Sequence, residues 1–531
     1  MVKSSENDIV SVKIEMLPAR DGKRMYTIVA VPKGFVKCPT VMIRNPYEGE
    51  LKGDDLASMY SNDSRIRNGY ALVIQHCRGR GGSEGDHIPY KGEREDGLDL
   101  IEHIRSMSHY NGEIFLTGGS YLASTMLMLM GDDLPDVKGA VICVQTDRMY
   151  FRNYQNGCCR TFSGAEWWFA MMGEHHPKIR PNEEIYVRPF YKITERALGE
   201  DIAWFSRELV HDTYDGIWQS DCRTYVMEKT KIPTLFIDGW FDFYTYGMCS
   251  MWKRLNQETK AQSCFLMGPY GHATAVASDF EYPLPNGNIP GDPELDWFEH
   301  IRLGRPFTQG KIGSFNYYDI GSDEWVAAEY EKDTVKKLLA EHPERSFRLY
   351  FTKDRRLAAG RREKGELSYI YDPENIPGGF RFQCMAKAFE PGTVPGVTSF
   401  YSDPFEQTKR FFGEVKWHMK VRSDCEDTAF FMRIYLSEGG SDYIIAETIT
   451  SLSYVCPDYI PGTVAEFEIK TQLAGFTVKR GCSIRCDISS FADEYVPHAN
   501  VKGKWALVDH SKVAKNTLVF GDSEIILCEK A

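Results

Sequence analysis

The sequence lacks the long hydrophobic segments that membrane proteins and secreted precursors carry. No stretch approaches the roughly 18 uninterrupted apolar residues of a membrane-spanning helix, and the run STMLMLM (124–130) is far too short. The N-terminal residues MVKSSENDIVSVKIEM contain no apolar segment of the kind found in signal peptides. We therefore expect no membrane partner and a cytoplasmic location.

The sequence also lacks a basic run, and its cysteines lack the spacing of a metal site. Lys and Arg number 63 against 75 Asp and Glu, a formal charge of −12 at pH 7, so we expect no nucleic-acid partner. The 14 cysteines include no C-x-x-C pair and no histidine spacing typical of zinc. We predict no metal and no cofactor, and scattered free thiols fit a reducing compartment.

What is present is a change of pattern along the chain. At 531 residues the chain is too long for one hydrophobic core, so two or three domains are expected. Strand-like and helix-like runs alternate over residues 1–145 and 231–310, which predicts an α/β domain built on a doubly wound sheet. Residues 146–230 have helical patterns and predict a cap inserted at the end of a strand. Residues 311–531 show short alternating runs between Gly, Pro and Asp, which predicts a β-sandwich of jelly-roll type.

Two serines are candidates for a catalytic nucleophile. The stretch Gly81-Gly82-Ser83-Glu84-Gly85 matches G-x-S-x-G, but Ser83 follows its strand by several residues and lies in a turn-rich loop. Ser120 lies in GGSYLA, between the strand-like EIFLTG and an apolar helix, the context that lifts a nucleophile clear of a sheet. Gly118 and Ala123 are small where that strand and helix crowd together. We therefore predict Ser120 as the nucleophile.

A nucleophilic serine needs a histidine base and an acid that orients it. In serine hydrolases built on α/β sheets these follow in the order Ser, Asp, His, each just after a later strand. TLFIDGWFD ends one strand-like run with Asp242, and CFLMGPYGH ends the next with His272. Asp238 also lies in IDGWFD, but it belongs to the predicted strand itself. We therefore predict Asp242 as the acid and His272 as the base.

These motifs resemble those of the cocaine esterase/X-prolyl dipeptidyl peptidase group of α/β-hydrolases, the CocE/NonD type. Members carry G-x-S-Y-x-G, G-W-x-D and G-P-x-x-H, which appear here as GGSYLA, GWFD and GPYGH, with Ala123 replacing the last glycine of the first motif. RNPY (44–47) resembles the group's R-x-P-Y, so the resemblance implies an oxyanion hole formed by the Tyr47 hydroxyl and the backbone N–H of Tyr121. QHCRGRGGSEG resembles a loop of the group, which makes Ser83 part of a structural turn. The resemblance runs nearly the full length and implies an α/β-hydrolase domain, a helical cap and a C-terminal jelly roll.

The predicted surroundings of the triad are rich in aromatic residues. They indicate an apolar acyl pocket formed by Trp167, Trp168, Phe169, Phe243 and Tyr244, although core packing explains such residues as well. We therefore predict a serine hydrolase that cleaves a carboxylic ester of a bulky apolar acyl group through an acyl-enzyme. The expected partner is a small-molecule ester or amide, and the sequence predicts no oligomeric state.

Two alternative functions stay open at this point. An amidase, acylase or dipeptidyl peptidase of the same fold would use the same catalytic residues. Its substrate ammonium could be held by cap carboxylates, Glu166, Glu174 and Asp215, although solvated helix faces explain these residues equally well. A non-catalytic protein that binds carbohydrate through the jelly roll is the other alternative, but it leaves the triad and Tyr47 unexplained.

Overall fold

The computed structural model describes most of the chain. The described residues are 4–47, 56–161, 167, 171, 187–214, 216, 218, 226–276, 281–328, 346–360, 362–377, 390–492 and 494–530. They form an N-terminal mixed sheet flanked by helices and a C-terminal sheet that closes into a sandwich.

The N-terminal half of the fold is an open twisted sheet. The strands up to residue 328 are Ser4–Glu6 (β1), Val10–Pro18 (β2), Arg24–Pro32 (β3), Cys38–Asn45 (β4), Ala71–His76 (β5), Tyr110–Gly119 (β6), Val137–Cys143 (β7), Tyr154–Gln155 (β8), Cys158–Cys159 (β9), Thr234–Gly239 (β10), Cys264–Gly268 (β11), Phe315–Asp319 (β12) and Glu324–Ala328 (β13). Within the described chain, β8 and β9 form a separate ribbon and the rest join one sheet in the order β1-β2-β3-β5-β4-β6-β7-β10-β11-β12-β13. Its run from β5 to β12 is parallel. Strands β4, β10 and β11 are almost wholly buried because helices cover both faces of the sheet.

Helices connect these strands and bury one apolar face each. They are Leu56–Tyr60 (α1), Ser64–Arg67 (α2), Glu93–Ser106 (α3), Tyr121–Leu127 (α4), Tyr150–Asn153 (α5), Ile193–Leu198 (α6), Ala203–Leu209 (α7), Val226–Lys229 (α8), Thr245–Arg254 (α9), Gln257–Ala261 (α10), Pro293–Leu303 (α11) and Leu452–Val455 (α12), with 3₁₀ turns at Phe190–Lys192 and Trp505–Leu507. In α3, the spacing of Leu100, Ile101 and Ile104 places all three on the buried side. The insertion predicted as a helical cap contains α5 to α8 and also the ribbon β8–β9.

The first sheet extends beyond residue 310, where the sequence pattern predicted the second domain to begin. Strand β12 pairs in parallel with β11, and β13 turns back antiparallel to β12. Alternating polar and apolar residues identify a strand, but they do not show which sheet it joins. The change from alternating helices and strands to strands alone therefore occurs earlier in the sequence than the first strand of the second sheet.

The C-terminal part is a β-sandwich. Its strands are Ser346–Phe351 (β14), Arg356–Ala359 (β15), Glu366–Tyr371 (β16), Thr398–Ser402 (β17), Lys409–Ser423 (β18), Ala429–Glu438 (β19), Ser441–Ser451 (β20), Ala465–Val478 (β21), Ser483–Ser489 (β22) and Ala514–Cys528 (β23). The described strands follow the order β20-β19-β22-β17-β15-β14-β23-β18-β21, and β16 pairs with β23. Strand β18 alternates half-buried and buried residues along its length, as expected where one face packs on the core.

The two parts share a packed boundary next to the predicted acid loop. The indole N–H of Trp240 donates to the Tyr318 carbonyl at 2.7 Å. A side chain at Gly475, on β21, would come within 2.4 Å of the Tyr317 ring and 3.2 Å of the Trp240 ring, so only glycine fits there. The N–H of Ile320 also donates to the Gly475 carbonyl at 3.2 Å. The sandwich thus packs directly on the loop that carries Asp242.

Candidate active site

Ser120 occupies a sharp turn between β6 and α4. Its backbone has φ 55° and ψ −128°, a region that residues with a side chain rarely adopt. Gly118 makes the turn possible, because a Cβ there would lie 2.4 Å from the carbonyl carbon of Leu122 and 2.6 Å from the nitrogen of Ala123. The methyl group of Ala123, where the related motif has glycine, is fully buried in the core beneath α4. The chain therefore accepts the alanine without opening the turn.

Three side chains from separate loops form a hydrogen-bonded chain at the carboxyl ends of the parallel strands. Ser120 Oγ lies 3.0 Å from His272 Nε2, and His272 Nδ1 lies 2.6 Å from Asp242 Oδ2. An ionised carboxylate only accepts hydrogen bonds, so Nδ1–H donates to Asp242 and Nε2 is left to accept the serine proton. The other oxygen of Asp242 accepts the backbone N–H of Tyr244 at 2.6 Å. Both Asp242 oxygens are thus fixed, and the carboxylate holds the imidazole in one orientation.

The electrostatic environment of His272 stabilises the protonated form of its imidazole. Burial acts to lower the pKa of His272, but the charge of Asp242 and its hydrogen bond outweigh burial and leave that pKa raised. The Asp242 side chain is fully buried, whereas the His272 side chain is 31% exposed. The base therefore faces solvent or substrate while its acid partner does not.

Asp238 lies apart from this chain, within β10. It is fully buried, and neither of its carboxyl oxygens has a hydrogen-bond partner in the described chain. Burial, and then the neighbouring charge of Asp242, raise the pKa of Asp238 well above its ordinary value. The structure therefore places Asp242 against His272 and leaves Asp238 buried in the sheet, away from the imidazole.

Ser83 makes structural hydrogen bonds far from His272. Its hydroxyl donates to the His76 carbonyl at 2.9 Å and accepts the Tyr26 N–H at 2.9 Å. Gly81 is required in the same loop because a Cβ there would lie 1.6 Å from the His76 ring. The glycines of this G-x-S-x-G stretch therefore serve the turn.

Tyr121 and Tyr47, the residues implied for an oxyanion hole, are packed against each other. Tyr121 is the first residue of α4, so its backbone N–H adjoins Ser120, and its ring is fully buried. The ring of Tyr47 meets that of Tyr121 edge-on, with centroids 6.4 Å apart and planes at 87°. The Tyr47 backbone N–H donates to Asn45 Oδ1 at 3.0 Å, which fixes the turn after β4.

A buried ionic network behind Tyr121 was not predicted from the sequence. The Tyr121 hydroxyl donates to Glu93 Oε1 at 3.0 Å and accepts the Tyr90 N–H at 2.6 Å. Arg44, fully buried, donates to Glu93 Oε2 at 2.5 Å and also lies 3.5 Å from Asp96. Arg44 is the first residue of the RNPY motif, and Tyr47 is its last. The network therefore connects the strand that precedes Tyr47 to the ring of Tyr121. The spacing of residues in the sequence did not reveal this network, because Glu93 and Asp96 resemble ordinary solvent-exposed charges at the start of a helix.

Three of the predicted pocket residues lie at the site in the described chain. The Phe243 ring stacks on His272 with centroids 4.5 Å apart, and the Tyr244 ring lies 5.6 Å from His272. Trp167 lies 5.6 Å from the Tyr121 ring. Trp168 and Phe169 fall outside the described residues, as do the three cap carboxylates, Glu166, Glu174 and Asp215.

A buried cation packs against two aromatic rings and was missed in the sequence. The guanidinium of Arg152 lies 4.4 Å from the Trp167 ring and 5.2 Å from the Tyr90 ring. The residue is only 1% exposed. Arg152 lies two residues from each of the aromatic residues Tyr150 and Tyr154, in a helical pattern. Nothing in the local sequence distinguishes it from an arginine at the surface.

Comparison with known proteins agrees with this architecture. The sequence model of the X-Pro dipeptidyl-peptidase (S15) family matches residues 21–274, and that of the X-Pro dipeptidyl-peptidase C-terminal non-catalytic domain matches residues 339–524. The chain belongs to the cocaine esterase/X-prolyl dipeptidyl peptidase group. This assignment confirms the predicted α/β-hydrolase fold with a helical cap and a C-terminal β-sandwich.

Individual relatives of the group are distant in sequence. Cocaine esterase from Rhodococcus sp. is 23% identical over 343 residues, which span 58% of this chain and 58% of the esterase. The solved structure of an aminopeptidase from a marine sediment Thaumarchaeota archaeon is 19% identical, with a TM-score of 0.81 over 98% of this chain and 99% of that one. An α-amino acid ester hydrolase is 18% identical, with a TM-score of 0.82 over 99% of this chain and 98% of that one. At these identities the two structures show a shared fold.

In the described part of the chain, no helix combines the length and the apolar character needed to cross a bilayer.

Proposed function

We propose that the protein is a serine hydrolase that cleaves a carboxylic ester of a bulky apolar acyl group through an acyl-enzyme. The hydrogen-bonded chain from Ser120 through His272 to Asp242 carries this proposal. It links a strained nucleophile, a base with a raised pKa and a fixed carboxylate, the set that acyl transfer requires. The family membership of the chain supports the same chemistry.

Acylation follows from these positions. Ser120 Oγ attacks the carbonyl carbon while His272 Nε2 takes its proton, and the carbonyl electron pair moves onto oxygen. The backbone N–H of Tyr121 and the hydroxyl of Tyr47 donate to that oxyanion. As the tetrahedral intermediate collapses, the bond to the alcohol breaks and His272 returns the proton to the departing oxygen. Asp242 stabilises the imidazolium throughout, which agrees with the raised pKa of His272.

Deacylation repeats the steps with water as the nucleophile. His272 takes a proton from water as the water oxygen adds to the acyl carbon. When this second tetrahedral intermediate collapses, the bond from the acyl carbon to Ser120 Oγ breaks and His272 returns the proton to Oγ, which releases the acid and restores Ser120. Trp167, Phe243 and Tyr244 present apolar ring surface at the site, which favours a bulky apolar acyl group in the substrate.

Labelling with a fluorophosphonate tests the nucleophile, and a substrate panel tests the bond that is cleaved. We expect the label on the peptide that contains Ser120, with none in Ser120→Ala and full labelling in the matched control Ser83→Ala. A panel of aryl esters with acyl groups of increasing size, aryl amides and dipeptide anilides should show highest kcat/KM for a bulky apolar ester. Preferred turnover of the anilides would instead support a dipeptidyl peptidase, and absence of any label would contradict a serine hydrolase.

A further inference from the structure

Glu93 contacts a support of each proposed oxyanion donor. It is the first residue of α3 and is only 3% exposed. Its Oε1 accepts the hydroxyl of Tyr121 at 3.0 Å, and its Oε2 accepts Nη1 of Arg44 at 2.5 Å. The same arginine nitrogen also donates to the backbone carbonyl of Glu93 at 2.8 Å. The two carboxylate oxygens thus hold different segments, the start of α4 and the end of β4.

The first of these contacts leads to the backbone N–H of Tyr121. Tyr121 follows Ser120 directly, and its buried hydroxyl is fixed from two directions, by Glu93 and by the Tyr90 N–H at 2.6 Å. The turn at Ser120 has a φ of 55°, a conformation that persists only where surrounding contacts enforce it. Because Tyr121 is anchored at the far end of its ring, Glu93 helps to fix the direction of the N–H beside the nucleophile.

The second contact leads to the hydroxyl of Tyr47. Arg44 lies in β4, three residues before Tyr47, and its side chain is fully buried. The turn between them is short, and Asn45 Oδ1 accepts the Tyr47 N–H at 3.0 Å. The ring of Tyr47 then packs edge-on against the ring of Tyr121. Tyr47 is therefore held both through β4 and through the ring that Glu93 anchors.

Stability alone is a weak explanation for this buried ion pair. Replacing such a pair with apolar side chains of similar volume is often neutral or stabilising. Asp96 lies 3.5 Å from Arg44 but has its own partner in Arg78 at 2.6 Å, so Glu93 is the closer acid for Arg44. What the Glu93 carboxylate adds is direction, since its hydrogen bonds hold Tyr121 and Arg44 in defined places.

We propose that Glu93 is a positioning residue that fixes both donors of the oxyanion hole. Its two oxygens hold Tyr121 and Arg44 at a set separation, so that the Tyr121 N–H and the Tyr47 hydroxyl converge on the oxyanion. The inference rests on the proposed ester hydrolysis, because the oxyanion forms during acyl transfer. The donors act mainly in the transition state, so loss of Glu93 should lower kcat and leave KM nearly unchanged.

Paired apolar replacements test this role without leaving a buried charge unpaired. Arg44→Met/Glu93→Leu removes both charges together, and Asp96 keeps Arg78. In an aryl ester assay of the full-length protein, we expect kcat to fall about tenfold to a hundredfold, less than for a deleted donor, because the donors are misaligned and not removed. KM should change by less than about threefold. Glu93→Gln should lose less, since its carbonyl oxygen can still accept the Tyr121 hydroxyl.

The sandwich offers a matched control pair. Arg433 and Glu447 are also buried, face each other across β19 and β20, and are joined at 2.8 Å. Arg433→Met/Glu447→Leu should keep the wild-type kcat and KM, and thermal melts verify that every variant is folded at the assay temperature. Wild-type kcat in both Glu93 variants, or an equal fall of kcat in the control, overturns the proposal.

A double-mutant cycle with Tyr47→Phe separates positioning from a general loosening of the fold. Once the Tyr47 hydroxyl is absent, Glu93→Gln can misalign only the Tyr121 N–H. Its fold-loss of kcat should then be at least about threefold smaller than in the wild type, because residues that act as a unit are not additive. Loosening of the fold would give the same fold-loss in both backgrounds, and that result refutes positioning by Glu93.

The wild-type protein distinguishes this proposal from the function on which it rests. Absence of ester hydrolysis together with absence of fluorophosphonate labelling refutes the proposed hydrolase. If the wild type hydrolyses esters and Tyr47→Phe lowers kcat, full kcat in the Glu93 variants refutes only the positioning role. Near-wild-type kcat in Tyr47→Phe also overturns that role, since a donor without effect has no position for Glu93 to maintain.

Discussion

Replacing Tyr47 with phenylalanine separates catalysis from stability in this site. The Tyr47 hydroxyl makes no hydrogen bond within the described chain, so its removal leaves no buried partner behind. We expect the free energy of unfolding to change by less than about 0.5 kcal/mol, as for substitutions away from buried networks. A donor to the oxyanion acts mainly in the transition state, and losing one costs about 10²–10³ in kcat, or roughly 3–4 kcal/mol. KM should therefore change little in a steady-state ester assay while kcat falls.

Tyr121→Phe is the matched comparison, because it removes a hydroxyl that is fully engaged. It leaves Glu93 Oε1 without its donor and takes away the acceptor of the Tyr90 N–H. Stability should fall by about 1–3 kcal/mol, the cost of buried groups that lose a hydrogen bond. Thermal melts and kinetics on both variants distinguish the two roles. Near-wild-type kcat in Tyr47→Phe would refute the role of its hydroxyl in the oxyanion hole.

The remaining predictions concern the triad and the buried acid beside it. Ser120→Ala should abolish ester hydrolysis, whereas Ser83→Ala should keep most of it, and hydrolysis lost only with Ser83 would contradict the assignment. Asp242→Asn should lower kcat by about 10⁴, because the histidine loses the acceptor that fixes its tautomer; an equal loss in Asp238→Asn alone would reverse the two acids. The base must be neutral to act, so the raised pKa of His272 should place the acidic fall of kcat/KM above pH 6.5, and Asp242→Asn should move that fall to lower pH. Because the pKa of Asp238 is raised, the folded protein keeps a proton on this carboxyl group that the unfolded chain releases above about pH 4. The contribution of Asp238 to the free energy of unfolding is therefore lost as the pH rises above that value. Asp238→Asn should therefore gain stability relative to the wild type as the pH rises above about 4, by up to about 1.4 kcal/mol per pH unit, and melting temperatures of the two proteins that vary in parallel with pH would show that Asp238 is ionised in the folded protein.

The hydrogen-bonded arrangement of Ser120, His272 and Asp242 could be predicted from the sequence, because each of these residues follows closely after a buried strand. Parallel strands bring their carboxyl ends to one edge, so the order of Ser120, Asp242 and His272 along the chain was enough to place them together. The choice of Asp242 over Asp238 as the acid rested on the same argument, because Asp238 lies within the predicted strand and Asp242 lies beyond its end.

Contacts between distant segments could not be predicted in this manner. Arg44 and Glu93 are 49 residues apart and lie in different elements, so nothing local marks them as partners. Arg152 resembles a surface arginine in the sequence, but in the structure it packs on rings from other segments of the chain. Strands β12 and β13 have the pattern of the sandwich but join the first sheet, because pairing depends on neighbours and not on the strand itself.

The contact between Gly475 and the rings of Trp240 and Tyr317 makes the two halves of the molecule mutually dependent. The loop that carries Asp242 has the sandwich as one of its walls, so the acid keeps its place only while both halves are folded. Thermal unfolding should accordingly follow a single cooperative transition, with activity and sandwich structure lost together. We therefore expect the first half expressed alone to lose the position of Asp242, and with it hydrolase activity, whereas co-expression of both halves should restore it.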